Sequence, residues 1–111
     1  IGDLNETGEE FQCAQYLDNH KDVRYWVRNV DRKPNAFWLQ LPSGKFYPDF
    51  VALLTDGRVM AVEYKGAHLM AESRDKLRIG ELWADASAGK CLFVIPTDRN
   101  FAVIDDAIKG V

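Results

Sequence analysis

The stretch that decides the reading runs Phe46-Tyr47-Pro48-Asp49-Phe50-Val51-Ala52-Leu53-Leu54-Thr55-Asp56-Gly57-Arg58-Val59-Met60-Ala61-Val62-Glu63-Tyr64-Lys65-Gly66. Two apolar runs of strand length flank Thr55-Asp56-Gly57, residue types that close a β-hairpin. One run begins with a carboxylate, Asp49, and the other ends in Glu63-Tyr64-Lys65. Whether these groups meet is a question of register. A two-residue turn at Asp56-Gly57 pairs Leu54 with Val59 and Phe50 with Glu63, and sends Asp49 and Glu63 to opposite faces. A three-residue loop with a left-handed Gly57 pairs Leu54 with Arg58, Phe50 with Val62 and Asp49 with Glu63. Lys65, two residues further on, then shares the face of Glu63. The three-residue loop is the better reading, because it gathers Phe50, Ala52, Leu54, Met60 and Val62 on one face and Val51, Leu53, Val59 and Ala61 on the other. A hairpin apolar on both faces belongs in the middle of a sheet, covered by helices.

That register sets two carboxylates opposite one another with β-carbons about 5 Å apart. Like charges at the end of an apolar hairpin repel, and a divalent cation turns the repulsion into binding. Mg²⁺ suits one or two carboxylates completed by phosphate oxygens and water. It activates water and stabilises the charge of an in-line phosphoryl displacement. Lys65 would add a compact positive charge to orient that water or neutralise the transition state.

Working outward, the first helix is expected over Glu6 to Asn19, with Thr7 as N-cap and a stripe of Cys13, Ala14 and Leu17. Glu10 lies on that stripe and is a candidate third acid. It equally fits a capping box that returns its carboxylate to the Thr7 amide. Glu9 lies about 100° away and is less well placed. Strands are expected at Val23 to Val30, with Val23, Tyr25 and Val27 on one face, at Ala36 to Leu41, at Tyr47 to Leu54 and at Arg58 to Lys65. Turns separate them, including Pro42-Ser43-Gly44-Lys45, so an antiparallel meander is expected. A helix over Met70 to Ala86 carries Leu77, Leu82, Trp83 and Ala84 as its main apolar positions. Gly80 in its middle lowers helix stability by about 1 kcal/mol and points to close packing. Cys91 to Ile95, bounded by Gly89 and Pro96, reads as a strand covered on both faces, and Val103 to Lys109 as a last short helix.

The 111 residues suffice for one domain, and the 47% hydrophobic and 28% charged content is globular. No apolar run approaches the roughly 18–20 residues of a membrane span. Opening at Ile1 rather than Met, the chain reads as a domain cut from a longer protein. Cys13 and Cys91 stand far apart without metal-ligand spacing, so free thiols and a cytoplasmic setting are expected. The net charge of −3, from 14 Lys and Arg against 17 Asp and Glu, argues against a stand-alone tight nucleic-acid binder. The charge is uneven, however, with acids concentrated before residue 20 and bases between 21 and 45.

Pro48-Asp49 with Glu63-Tyr64-Lys65 resembles the motif of the PD-(D/E)XK nuclease superfamily. Glu10 through Leu17-Asp18, Trp26-Val27-Arg28-Asn29, Phe46 to Phe50, Glu63 to Gly66 and the Lys76 to Trp83 helix resemble one subfamily, the C-terminal endonuclease domain of type III restriction enzymes and related helicase-like proteins. The resemblance spans nearly the whole chain. It implies an α/β fold with a restriction-endonuclease-like α-β-β-β-α-β core, a central mixed sheet flanked by helices. It implies Mg²⁺-dependent cleavage of double-stranded DNA, with Mn²⁺ as an alternative metal. It makes Asp49 and Glu63 metal ligands, Lys65 catalytic and Glu10 a match to the first-helix acid. The partners implied are a helicase motor on the same polypeptide and a separate recognition subunit.

Arg28, with Asn29 and Trp26 beside it, is a candidate DNA contact, or else edge-strand decoration. Lys76, Arg74 and Arg78 are candidates for backbone phosphate, or else a solvated helix face. Trp38 and Trp83 read as core, and His20 and His68 as structural or exposed. Two other functions fit the same residues. One is a nuclease-like module that binds DNA or partners without cutting. The other is a repair or recombination nuclease of the same superfamily, which a preference for branched DNA would reveal.

Overall fold

The computed structural model describes residues 8–29, 36–42, 44–65, 71–97 and 100–110, with backbone alone at 71–73. The elements are α1 (Glu9–Asn19), β1 (Val23–Arg28), β2 (Leu39–Leu41), β3 (Gly44–Phe46), β4 (Phe50–Leu54), β5 (Val59–Val62), α2 (Ala71–Ala86), β6 (Cys91–Val94) and α3 (Ala102–Lys109). The fold is mixed α/β. Four strands form one sheet in the order β1-β4-β5-β6, and β2 and β3 form a separate hairpin.

The β4–β5 hairpin takes the three-residue loop. Phe50 pairs with Val62, Ala52 with Met60 and Leu53 with Val59. The Leu54 amide bonds the Arg58 carbonyl at 2.9 Å, and Gly57 has a φ of +92°. Nothing lies within 4 Å of where a Gly57 Cβ would be, so a side chain there would meet only backbone strain. Gly57→Ala is expected to lower the unfolding free energy by about 1 kcal/mol in a urea titration. An unchanged midpoint would mean that the loop does not need its left-handed residue.

Because β4 is apolar on both faces, it lies inside the sheet with layers packed above and below, and its two backbone edges pair with β1 and β5. The meander expectation placed the Leu39–Leu41 run beside β1. Instead β1 pairs antiparallel with β4. Its six residues supply a full-length ladder, which the three residues of β2 do not. The turn expected at 42–45 is also shorter, since Leu41 already pairs with Gly44 and β3 begins there. On the other side β6 runs parallel to β5, joined through α2.

The alternation expected along β1 fails at one point. A bulge between Val23 and Tyr25 shifts the register, and the residues beyond it change faces. Trp26 therefore turns inward onto Phe50, with ring centroids 5.6 Å apart, while Tyr25 and Val27 are exposed.

Two apolar clusters result. The larger packs Cys13, Ala14 and Leu17 of α1 and Ile104 and Ile108 of α3 onto Phe50, Ala52, Leu54, Met60 and Val62. The smaller lies on the opposite face, where Leu39, Leu41 and Phe46 meet Ile79, Trp83 and Phe93. Of the apolar positions expected of the helix over 71–86, Trp83 packs inward, whereas Leu77 and Leu82 do not. Leu77 and Leu82 are 40% and 56% exposed, and the inward stripe is Lys76, Ile79, Gly80 and Trp83. Gly80 is close-packed as anticipated: a Cβ there would lie 2.2 Å from the Phe93 ring. Trp38, expected in the core, is 41% exposed, with the Lys45 ammonium 4.5 Å from its ring centroid.

The first helix starts at Glu9, because Gly8 is extended and serves as N-cap. The Thr7 cap, the capping box with Glu10, and His68 lie outside the described residues. His20 is structural: its Nε2 lies 2.6 Å from Asp105 on α3, and its Nδ1 accepts the Asp22 amide. Both cysteines are free thiols. Among the described residues no helix is long and apolar enough to cross a membrane.

Candidate active site

The site lies where β4 begins and β5 ends. Three features fix it. Pro48 is fully buried, and Asn29 pins it by donating from Nδ2 to the Pro48 and Phe37 carbonyls, each at 2.8 Å. The Asn29 Oδ1 accepts the Phe37 amide at 2.9 Å, and the Asn29 amide bonds the Asp49 carbonyl at 2.8 Å. Just past β5, the Glu63 and Lys65 amides bond the Val94 and Pro96 carbonyls at 3.0 Å, which extends the parallel pairing beyond the strand end. Alternate amides pointing one way put the two side chains on one face.

Asp49 and Glu63 then clasp each other's strand. The Asp49 amide donates to Glu63 Oε1 at 3.1 Å, and the Tyr64 amide donates to Asp49 Oδ2 at 2.9 Å. Glu63 is 5% exposed. Two ammonium groups meet its second oxygen, Oε2: Lys76 Nζ at 3.1 Å and Lys65 Nζ at 3.5 Å. The Lys76 ammonium also stands 4.8 Å from the Phe46 ring centroid.

Burial pushes the Asp49 carboxyl up to about 8, helped by the negative charges of Glu63 and Glu10 and opposed by the Tyr64 amide. Burial and the same Asp49 and Glu10 charges push the Cys13 thiol up to about 12, which leaves it inert. Asp49 is thus short of positive charge, whereas Glu63 has two cations beside it.

The structure therefore brings together Asp49, Glu63, Lys65 and Lys76. Glu10 acts on Asp49 through its charge, and its carboxylate lies 3.6 Å from Arg28. Arg28 accordingly faces the helix acid. Asn29 has its whole side-chain amide engaged within the fold, so it positions Pro48-Asp49 instead of facing a ligand. Lys76 is not on a solvated helix face, whereas Arg74 and Arg78 are exposed. Glu9, set aside in favour of Glu10, accepts a hydrogen bond from the Tyr64 hydroxyl. The signal that locates Lys76 is its spacing to Ile79, Gly80 and Trp83, one stripe of a helix. Asn29 carries no such signal, because its partners lie 8 and 19 residues away.

Among the described residues no group of three His, Cys, Asp or Glu side chains is arranged to hold a metal ion. Two carboxylates do converge, and an Mg²⁺ site completed by phosphate and water asks for no more. The hard oxygen donors and the unbalanced charge at Asp49 fit such an ion. Comparison with protein-family models, curated proteins and solved structures finds no match to this chain.

Proposed function

We propose that the chain is a divalent-metal-dependent DNA endonuclease domain of the PD-(D/E)XK type, hydrolysing phosphodiester bonds as part of a type III restriction enzyme-like protein. The observation that carries this reading is the pairing of Asp49 with Glu63 at matched strand ends, with Lys65 on the same face. The element order supports it: with the β2–β3 hairpin set aside, α1 to β6 run α-β-β-β-α-β. Asp49 and Glu63 would hold the metal, Mg²⁺ or Mn²⁺. The ion would lower the pKa of a bound water and stabilise charge on the phosphate. Lys65, 25% exposed in its side chain and 3.5 Å from Glu63 Oε2, would offer its ammonium to a phosphate oxygen or the attacking water. Asn29 and the Val94 and Pro96 carbonyls hold the backbone that sets this geometry. Double-stranded DNA is the proposed substrate, and a helicase motor and a separate recognition subunit are the proposed partners.

The test is nicking of supercoiled plasmid with Mg²⁺. Lys65→Ala is expected to lower the rate by about 100-fold or more, the size of effect seen when a transition-state charge partner is removed. Undiminished nicking by that variant would remove Lys65 from the mechanism. One observation favours a module that binds without cutting: both Glu63 oxygens are already engaged, Oε1 by an amide and Oε2 by two ammonium groups. Salt-dependent DNA binding with no Mg²⁺-dependent nicking would select that reading.

A further inference from the structure

We infer that the Lys76 ammonium is a resident counter-ion of Glu63, which a divalent cation must displace to load, so that α2 sets the metal affinity of the site. The inference rests on the metal-dependent reading above and deepens it.

A carboxylate as buried as Glu63 is costly to keep ionised without a partner. Lys76 supplies one from a different element, at 3.1 Å from Oε2, nearer than Lys65 at 3.5 Å. Its side chain is 15% exposed, so the pair sits away from bulk solvent. A metal ion bound to Glu63 at about 2.0–2.1 Å takes up the region in front of the same carboxylate. Its double positive charge would also face two ammonium groups at short range in a partly desolvated site, where repulsion is strong.

Lys76 has somewhere to go. The ring of Phe46, which is 3% exposed and held by the β2–β3 hairpin, already lies under its ammonium. Cation–π attraction to that ring persists when Glu63 is taken. Lys65 needs no such relocation, being farther from Oε2 and more exposed. The two lysines thus divide the work: Lys65 is left for the substrate, and Lys76 stands in for the absent cation. Lys76 is on this account a positioning residue acting through Glu63, and removing its charge should strengthen metal binding.

The experiment is a calorimetric titration of Mn²⁺ into the wild-type protein, Lys76→Met, Lys76→Gln and Lys76→Arg, with melting curves in EDTA and in excess Mn²⁺. Lys76→Met is expected to bind Mn²⁺ about 5- to 10-fold more tightly than wild type, a coupling of ordinary size between two competing ligands. It should melt lower in EDTA and gain more from Mn²⁺. Lys76→Gln keeps a hydrogen-bond donor for Glu63 while losing the charge. It should show the same tightening and guards against a Met variant that fails to fold. Lys76→Arg, which keeps the charge, should bind like wild type. Equal or weaker binding by the Met and Gln variants, with Asp49-dependent binding intact in wild type, would sink the counter-ion role and leave the metal site standing. Absence of Mn²⁺ binding in every protein would remove both.

Discussion

Asp49→Asn is expected to make the metal-free protein more stable at pH 8 while lowering Mg²⁺-dependent nicking by about 1,000-fold. Both effects have one cause. The Asp49 carboxyl titrates near 8 in the fold and near 3.8 when unperturbed, because burial and the Glu63 and Glu10 charges oppose its ionisation. Between those values the folded chain holds a proton that the unfolded chain has lost. Stability from this group is therefore present at low pH and falls as pH rises from about 4 to about 8. Asn is isosteric with the protonated acid. Its carbonyl still accepts the Tyr64 amide, its NH₂ can donate towards Glu63, and it carries no charge to be buried. Thermal melts in EDTA at pH 5 and pH 8 should show the variant gaining at least about 1–2 kcal/mol over wild type at the higher pH and less at the lower. Near the midpoint that amounts to roughly 5 °C or more for a chain of this size. The variant should also fail to bind Mn²⁺. A loss of stability at pH 8 would show instead that the ionised carboxylate holds the hairpin together. On the proposed function, activity and stability would oppose each other at this site, a recurrent trade-off where a site is destabilised ahead of its ligand.

Gly80→Val should destabilise the fold by about 3 kcal/mol or more, a large fraction of the total stability of a small domain. Two effects compete. Replacing Gly in a helix interior gains up to about 1 kcal/mol from backbone entropy, less for a β-branched residue. Against this, a Cβ at Gly80 lies 2.2–2.5 Å from three carbons of the Phe93 ring, including the atom that joins the ring to its chain. The ring has little room to swing away, because it stands edge-on to Phe46 at 6.0 Å within the smaller core. Overpacking wins. Urea unfolding of Gly80→Ala and Gly80→Val should show a graded loss, and Phe93→Leu should restore part of it in the double variant by shortening the obstructing side chain. A Gly80→Ala protein as stable as wild type would mean that α2 can rise off β6 at little cost.

Much of the hairpin was legible in the chain because its information is local. Thr55-Asp56-Gly57 specifies the loop, the loop specifies the register, and the register puts Asp49 across from Glu63 through pairs no more than 14 residues apart. Gly80 was legible for a similar reason, since a glycine within a helical run needs a packing explanation. Elsewhere the local signal pointed the wrong way. One extra residue in β1 reversed the faces of Tyr25, Trp26 and Val27, and nothing in Val23 to Arg28 marks the bulge. Leu77 and Leu82 are good helix formers with apolar side chains, yet the face of α2 that meets β6 is chosen by the small profile of Gly80 and by Ile79 and Trp83.

What the sequence determined by itself, then, was the geometry of the two acids and Lys65, because pleat and turn type dictate it over a short span. Tertiary structure alone decided the strand order β1-β4-β5-β6, the placement of Asn29 behind Pro48-Asp49, and the arrival of Lys76 at Glu63. Those contacts join segments whose approach is set by which apolar faces bury together, and the free energy of that burial belongs to the whole core rather than to any stretch of chain.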